Sequence, residues 1–411
     1  MCSIYGAIGA DINERLFERL REHARDRGRD GGRCEVYKGP YGRAYLGNWR
    51  ATPTPEPEIG LLQPYDEMVH NGTIANDQDL GARPGEIDSQ VLARVLNRES
   101  VYDLVESLSG VKGSYALACH NGKTILAATN YKPLHYAKVN SVLYFSSMAR
   151  HFDGVLPFGQ APVQLPPYSA IDFLTQETLT IPRLNEKRVA VIASSGLDST
   201  VVATQLQREG WDVCLLHFTY GCNAENREVN SIRAIGKALD CRYHFMEVDL
   251  KQMLGIRSST LFQGEVMTKP AIEGAEFAHE WVPGRNLVFI SLAVAWAEAH
   301  GYHAVALGNN LEEAGAYPDN EEQFTTLLNA AMPYAVQANY GMRLLSPVGN
   351  LMKHEIVKLG LSNQTPFQLT WSCYRSGRYH CGKCGPCFMR RKAFERNGAD
   401  DPVFAHDTSE A

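Results

Sequence analysis

No apolar run in this sequence is long. The longest, Leu287 to Ala297, stops at Glu298, well short of the roughly 20 residues that a membrane span needs. The opening residues Met1-Cys2-Ser3-Ile4-Tyr5-Gly6 lack the basic start of a secretory signal. The expected location is therefore the cytoplasm, that of a host cell if the source is a phage, with no membrane partner. Positive charge is not in excess either. With 40 Lys and Arg against 46 Asp and Glu the formal net charge is −6, which excludes a protein that grips nucleic acid over its whole surface and leaves only local contact. No internal repeat is visible, and a composition of 44% hydrophobic and 21% charged residues excludes disordered, collagen-like and low-complexity chains.

What is present is length and thiols. A chain of 411 residues is enough for two or three domains with real cores. In a reducing compartment its ten cysteines call for a chemical reason other than disulfides. Up to about residue 180, short apolar runs such as Ser114–Cys119, Thr124–Ala128 and Val142–Phe145 lie between turn residues and read as strands of a sheet-rich domain. Helical segments near Glu14–Arg27 and Ser89–Asn97 interrupt them. After a polar stretch at Thr175–Glu186 the pattern changes to strands alternating with helices. The strands are Arg188–Ala193, Asp212–Phe218, Arg242–Val248 and Ala304–Leu307. The helices run to about Arg208, over Glu225–Leu239 and over Asn286–His300. That alternation predicts a parallel sheet covered on both faces. The boundaries drawn are 1–180 and 187–411, the second domain including a cysteine-rich segment at 373–387.

Cys2 follows the initiator methionine. Removal of Met1 would leave an α-amine on a thiol residue, and an amine of that kind can act as the thiol's own base during attack on an amide. The surrounding strings resemble class II glutamine amidotransferases, the N-terminal-nucleophile (Ntn) glutaminases. Cys2-Ser3-Ile4-Tyr5-Gly6 is similar to that family's Cys-Gly-Ile-x-Gly opening, and the Arg-Gly-Arg-Asp-Gly string ending at Gly31 to its Arg-Gly-Pro-Asp-Gly. Gly47-Asn48-Trp49-Arg50-Ala51-Thr52 is similar to Gly-His-x-Arg-Trp-Ala-Thr, with Asn48 in place of His. His70-Asn71-Gly72-Thr73-Ile74-Ala75-Asn76 matches His-Asn-Gly-x-Ile-x-Asn, and Ile87-Asp88-Ser89-Gln90 resembles Ser-Asp-Thr-Glu. The resemblance implies an α+β, αββα-sandwich domain with Cys2 as nucleophile. It further implies the Asn71 side chain and Gly72 N–H as oxyanion donors, and Arg50 and Asp88 as partners for the carboxylate and ammonium of glutamine.

The string Ser194-Ser195-Gly196-Leu197-Asp198-Ser199-Thr200 follows the first strand of the second domain. A strand, a tight turn and a helix N-terminus make an anion site, and this turn lacks the Gly-x-x-x-x-Gly-Lys pattern of a Walker loop. It resembles the Ser-Gly-Gly-x-Asp-Ser loop of N-type ATP pyrophosphatases, with Ser195 at the first Gly. Further strings narrow the likeness to 7-cyano-7-deazaguanine synthases, the QueC family, over roughly 187–402. They are His217–Gly221, Trp281–Asn286, Gly308–Asn310, Tyr317-Pro318-Asp319 and Thr370–Tyr374. The implied fold is a doubly wound, adenine-nucleotide-alpha-hydrolase-like α/β sheet. By the same resemblance Ser194, Gly196, Asp198, Ser199 and Thr200 hold ATP phosphates, with magnesium as companion ion. Arg285 and Asn286 lie near nucleotide or substrate, and Asp319 contacts a deazapurine. Two departures bear on the substrate: Tyr-Gly-Gln reads Tyr220-Gly221-Cys222, and Tyr-Pro-Asp-Cys-Arg ends in Asn320-Glu321, without the basic residue.

Cys373, Cys381, Cys384 and Cys387 have C-x7-C-x2-C-x2-C spacing, and zinc with four sulfurs is the usual occupant of such a closed site. An iron–sulfur cluster or bare thiols are the alternatives. Lys383, Arg390, Arg391, Lys392 and Arg396 beside it either neutralise thiolates and solvate a helix or contact phosphate.

The combination resembles Gat-QueC fusions, which in archaea are associated with archaeosine formation and in phages with deazaguanine modification of DNA. It implies that ammonia taken from glutamine is delivered to a deazaguanine acceptor. The leading expectation is addition to the nitrile of 7-cyano-7-deazaguanine, in DNA, RNA or the free base, giving 7-formamidino-7-deazaguanine, with Cys222 either a nucleophile toward that nitrile or simply a buried apolar thiol. A glutamine-fed, ATP-dependent 7-cyano-7-deazaguanine synthase acting on 7-carboxy-7-deazaguanine is the second reading, favoured by the phosphate loop. An inactive binding module that keeps both folds is the third.

Overall fold

The computed structural model describes residues 2–51, 62–250, 252, 259, 261–262, 281–315 and 317–404. The chain forms two compact units: Met1–Leu184 with Gln337–Tyr340, and Asn185–Val336 with Gly341–Ala411.

In chain order the first unit contains β1 (Ser3–Gly9), α1 (Glu14–Ala24), β2 (Gly31–Gly39), β3 (Gly42–Arg50), β4 (Met68–Ile74), α2 (Asp88–Val95) and α3 (Val101–Leu108). There follow β5 (Gly113–His120), β6 (Ile125–Thr129), β7 (His135–Val139), β8 (Val142–Ser146), β9 (Val163–Gln164), β10 (Ser169–Asp172) and β11 (Thr178–Thr180). Two antiparallel sheets result, one in the order β2-β3-β1-β8-β7-β9 and one in the order β11-β10-β6-β5-β4. Alternation along a strand sends neighbours to opposite faces, and β1 is buried on both. Ile4 and Ile8 meet Val69, Ala116, Ala118 and Ile125 of the second sheet, whereas Tyr5 and Ala7 pack against Phe17, Leu20 and Ala24 of α1. On the outer face of the second sheet, Leu117, Leu126 and Ala128 pack with Leu92 of α2 and Val101, Leu104 and Leu108 of α3. These three cores stack as helix, sheet, sheet, helix, an αββα sandwich. Helix α1 starts cleanly because Asn13 Oδ1 accepts from the N–H groups of Arg15 and Leu16, the usual N-cap device.

The second unit begins with β12 (Arg188–Ile192), α4 (Leu197–Arg208), β13 (Asp212–Thr219), α5 (Glu225–Ala238) and β14 (Arg242–Glu247). It continues through α6 (Arg285–Ala299), β15 (Ala304–Ala306), α7 (Leu311–Ala314), α8 (Glu322–Ala335), β16 (Arg343–Leu345), α9 (Lys353–Ser362) and α10 (Gly385–Arg396). All strand pairs are parallel, in the order β14-β13-β12-β15-β16. The apolar strands Val189–Val191 and Val213–Leu215 are covered on one side by Val201, Val202 and Leu206 of α4, Ile232 and Ile235 of α5, Ile356 and Val357 of α9 and Phe394 of α10. Phe289 of α6 stacks on Phe218 at 4.3 Å and 4° on the other. This is a doubly wound sheet. Its strand order reverses between β12 and β15, and ligands of such sheets bind at that switch point, outside the carboxyl ends of the strands. Among the described residues no helix is long and apolar enough to cross a membrane.

Candidate active sites and metal centre

Cys2 immediately precedes β1. Its half-buried thiol donates to the Ala51 carbonyl at 3.6 Å, which ties it to the end of β3, where Arg50 is 9% exposed. Thr52 and Met1 lie outside the described residues. Asn48, which is paired in register with Ile4, is fully buried and donates through Nδ2 to the His70 carbonyl at 3.5 Å. It thereby holds β4 beside the Cys2 end of β1. The next residue along β4, Asn71, is 3% exposed, and its Nδ2 has no hydrogen-bond partner. At Gly72 an added Cβ would fall 1.9 Å from the Ser114 carbonyl oxygen, so only glycine fits against β5. Asp88 opens α2 and accepts from the N–H groups of Ile74 at 2.8 Å and Ser89 at 2.7 Å. It joins the end of β4 to the start of α2. His70 shares a hydrogen bond of 2.9 Å with Ser89 Oγ, and burial lowers its pKa, against the opposing pull of Asp88.

Two cations join this group to which sequence reasoning assigns no role. The Arg27 guanidinium has a lowered pKa, from burial first and then from Arg150, with Asp26 and Cys2 close enough to act the other way. Lys132 is likewise lowered, by burial and then by Arg27. Arg27 stands in the Arg-Gly-Arg-Asp-Gly string, where its place was already a signal. Lys132 has no local motif.

In the second unit the switch point opens into a cavity of about 260 Å³. It is lined on the loop side by Ser194, Gly196, Asp198 and Ser199, and elsewhere by Glu228, Arg285, Asn286, Glu313, Asp319, Lys353 and a rim of aromatic rings. Gly196 is the N-cap of α4, and no side chain caps the helix. The first-turn N–H groups are therefore left without a side-chain partner, as an anion site requires. Ser195 stands at φ +67°, a left-handed conformation that glycine adopts freely and that costs other residues about 1 kcal/mol. Its hydroxyl donates to the Trp371 carbonyl at 3.3 Å, and the Trp371 N–H returns a bond to the Ser195 carbonyl at 2.9 Å. Thr200 does not line the cavity; its hydroxyl donates to the Gly196 carbonyl at 2.7 Å.

Lys353, at the first turn of α9, bridges Asp198 and Glu313, each at 2.8 Å. Burial raises the Asp198 pKa against the pull of Lys353. At Glu313 burial works upward but Lys353 outweighs it. Asp198 Oδ1 is buried with no partner, a hard oxygen donor of the type magnesium takes. Across the cavity the Arg285 charge is reinforced by Tyr220, Tyr374 and Asp319, which outweigh its burial. Asp319 has its own Oδ1 buried and unpartnered, and burial raises its pKa. Asn286 Nδ2 donates to Asn320 Oδ1 at 3.5 Å. Glu228 is pushed up to about 7 by burial, against Arg285 and the Cys222 thiol. Cys222 itself is buried and outside the cavity lining. Its thiol lies 3.7 Å from Glu228 Oε2, and burial and then Glu228 raise its pKa far above a free thiol's. A thiol held protonated in this way is a poor nucleophile. Lys353, Glu313 and Glu228 sit in ordinary helical strings, and only the fold assembles them.

The ligand atoms of Cys373, Cys381, Cys384 and Cys387 all lie within 4.8 Å of one another. The N–H groups of Arg375 and Cys381 both point at Cys373 Sγ, each at 3.4 Å, and that of Cys384 at Cys381 Sγ at 3.4 Å. Hydrogen bonds from Cys384 and Cys387 pull the Cys373 thiol strongly down. Soft sulfur donors converging in this way fit a tetrahedral zinc. Arg390, in contrast to the exposed Lys383 and the half-exposed Lys392, is 1% exposed and makes no surface phosphate patch.

The αββα sandwich makes the first unit Ntn-hydrolase-like in fold, and the switch-point loop and parallel sheet make the second adenine-nucleotide-alpha-hydrolase-like. The chain belongs to the family "Queuosine biosynthesis protein QueC", whose model matches residues 188–398. A 7-cyano-7-deazaguanine synthase of Sulfolobus acidocaldarius is 43% identical over 392 residues, 88% of this chain and 84% of that protein. One of Saccharolobus solfataricus is 44% identical over 389 residues, 88% of this chain and 83% of that protein. Among solved structures, the glutamine phosphoribosylpyrophosphate amidotransferase of B. subtilis aligns with 94% of this chain and 96% of its own at 15% identity and a TM-score of 0.36.

Proposed function

We propose that the chain is a glutamine-dependent, ATP-dependent 7-cyano-7-deazaguanine synthase. Cys2, acting after removal of Met1, takes the amide nitrogen of glutamine. Asn71 Nδ2 and the Gly72 N–H receive the developing oxyanion, and Arg50 and Asp88 hold the amino-acid ends. In the second unit Ser194, Gly196, Asp198 and Ser199 hold the phosphates of ATP, Asp198 also serving a magnesium ion. Arg285, Asn286 and Asp319 bind 7-carboxy-7-deazaguanine. The carboxylate attacks the α-phosphorus of ATP and pyrophosphate leaves. Ammonia displaces AMP to give the amide, and a second adenylation of the amide oxygen, followed by loss of AMP and a proton, leaves the nitrile. Zinc, held by Cys373, Cys381, Cys384 and Cys387, supplies a structural cross-link.

The observation that carries this reading is the phosphate loop at the switch point, with an uncapped helix N-terminus and an unpaired Asp198 oxygen in the cavity wall. A reaction that needs no activation has no use for them. The names of full-length relatives point the same way. Amidine formation on 7-cyano-7-deazaguanine, free or in DNA or RNA, is the second reading. The acidic cavity wall and the Asn320-Glu321 departure favour it, since a nitrile needs no cation; the buried, protonated thiol of Cys222 is poorly suited to attack that nitrile. The test is the full chain given glutamine and each acceptor in turn. The synthase reading expects AMP and nitrile from the carboxylate, with Cys2→Ala active only on added ammonium salt. Amidine formed from the nitrile without ATP would replace it by the second reading. No glutamate release with either acceptor would leave a binding module.

A further inference from the structure

The segment Phe367–Cys373 joins the cysteine centre to the phosphate loop, and one buried side chain organises it. Arg390 of α10 has five N–H groups, and each has an acceptor. Nε donates to Asp401 Oδ2 at 2.7 Å and Nη2 to Asp401 Oδ1 at 2.9 Å. Nη2 also donates to the Phe367 carbonyl at 3.1 Å. Nη1 donates to Thr370 Oγ1 at 2.5 Å and Ser372 Oγ at 3.2 Å. Thr370 and Ser372 flank Trp371, whose backbone makes the paired bonds to Ser195. On the other side, Arg390 lies one helical turn after Cys387, and Ser372 is bonded to Cys373.

Arg390 borders the cavity, but its N–H groups are all engaged within the protein, and we infer that it is a positioning residue for the phosphate loop, acting through Thr370, Ser372 and the Trp371–Ser195 backbone clasp, so that the cysteine centre and the nucleotide loop keep their shape together. The inference rests on the nucleotide-binding part of the proposed function. A forked, fully satisfied guanidinium can fix three acceptors of one segment in a single geometry, and an ammonium cannot. The clasp also explains how a serine occupies a position where glycine is the unstrained choice. The two bonds to Trp371 hold the left-handed backbone that the loop needs, and the loop's donors are then placed before nucleotide arrives.

The test uses the full chain, with ATP as the titrant in calorimetry and zinc per chain and the melting curve recorded for each variant. Arg390→Lys is expected to bind ATP about tenfold more weakly, the equivalent of about 1.4 kcal/mol, with zinc content unchanged and a cooperative melt retained. Ser195→Ala, which keeps the strained backbone and loses the hydroxyl, is expected to weaken ATP binding more than Ser195→Gly, which loses the hydroxyl and the strain together. ATP binding within twofold of the natural chain in both Arg390→Lys and Ser195→Ala overturns the inference. So does a loss of ATP binding that only follows loss of zinc and of the melt, since that marks a structural role alone. If Arg390→Lys does not fold, the Ser195 pair decides, because it leaves the buried Arg390–Asp401 ion pair intact. No ATP binding by the natural chain removes the nucleotide reading itself and this inference with it.

Discussion

Asn71 Nδ2 is a buried donor without an acceptor, and such groups are rare because leaving one unmade costs about 1–3 kcal/mol. The proposed oxyanion role, a donor kept ready for charge that develops only during reaction, would account for it. Asn71→Ala is therefore expected to lower kcat for glutamine hydrolysis by about 10²–10³ with little change in KM, read as glutamate release; a kcat within twofold of the natural chain would remove the oxyanion role. Glu228 makes a different residue-scale prediction. Its folded pKa, pushed up to about 7 by burial, lies above that of an unfolded glutamate, so its neutral form is the one the fold favours. The groups facing it are His217 and Cys222, Arg285 of α6, and Glu225 on its own helix. Stability from this group is complete below the unfolded value and is lost as pH rises through about 7, a cost of roughly 3 kcal/mol by linkage. Glu228→Gln stays neutral, so its melting temperature relative to the natural chain is expected to climb between pH 4.5 and 8. A pH-independent difference would show that Glu228 titrates normally.

The same loop looks different at the scale of the element. In α4 the first turn offers N–H groups to the cavity, while Thr200, one turn further on, points its hydroxyl back to Gly196. Thr200→Val is expected to destabilise the fold by about 1 kcal/mol and leave ATP affinity within twofold. Ser199→Ala, in the cavity wall, is expected to weaken ATP binding several-fold without that loss of stability. Equal effects on affinity would return Thr200 to the phosphate site. Elements with strong periodic patterns were legible in the sequence. The runs at Ser114–Cys119 and Val142–Phe145 became β5 and β8, and the expected helix Glu225–Leu239 is α5 to within one residue. Three further elements do not stand out by pattern: α3, although Ser100 caps it, α8, with Pro333 inside it, and α9, which begins at the Lys353 that bridges two carboxylates. Motif strings marked the site residues that act on neighbours in the chain. Lys353, more than 150 positions from Asp198, and Glu228 come into the cavity only through strand order, for which local pattern carries no signal. Ser195 is the converse case, a visible departure from glycine whose meaning lies in a partner 176 residues away.

For the whole molecule, the two readings of the function differ in how nitrogen and phosphate are counted. Turning a carboxylate and ammonia into a nitrile removes two molecules of water. Each removal needs the departing oxygen made a better leaving group, and in the synthase reading the phosphate loop would do this by adenylation. The synthase reading therefore expects two molecules of AMP for each glutamate released and each nitrile formed, in the full chain at saturating glutamine. Amidine formation adds ammonia across a bond already at the right oxidation level and expects glutamate and product in equal amounts with no AMP. One AMP per glutamate, with the amide accumulating, would mean that the chain activates its substrate once and stops short of the nitrile. The cysteine centre bears on the same measurement. Stripping zinc with a chelator is expected to lower AMP formation while glutamate release persists in proportion to the first unit still folded. The four thiols, Arg390 and the loop belong to one unit, and Cys2 and Asn71 belong to the other. A chelated chain that loses both activities together, with both units still folded by circular dichroism, would contradict this division of labour.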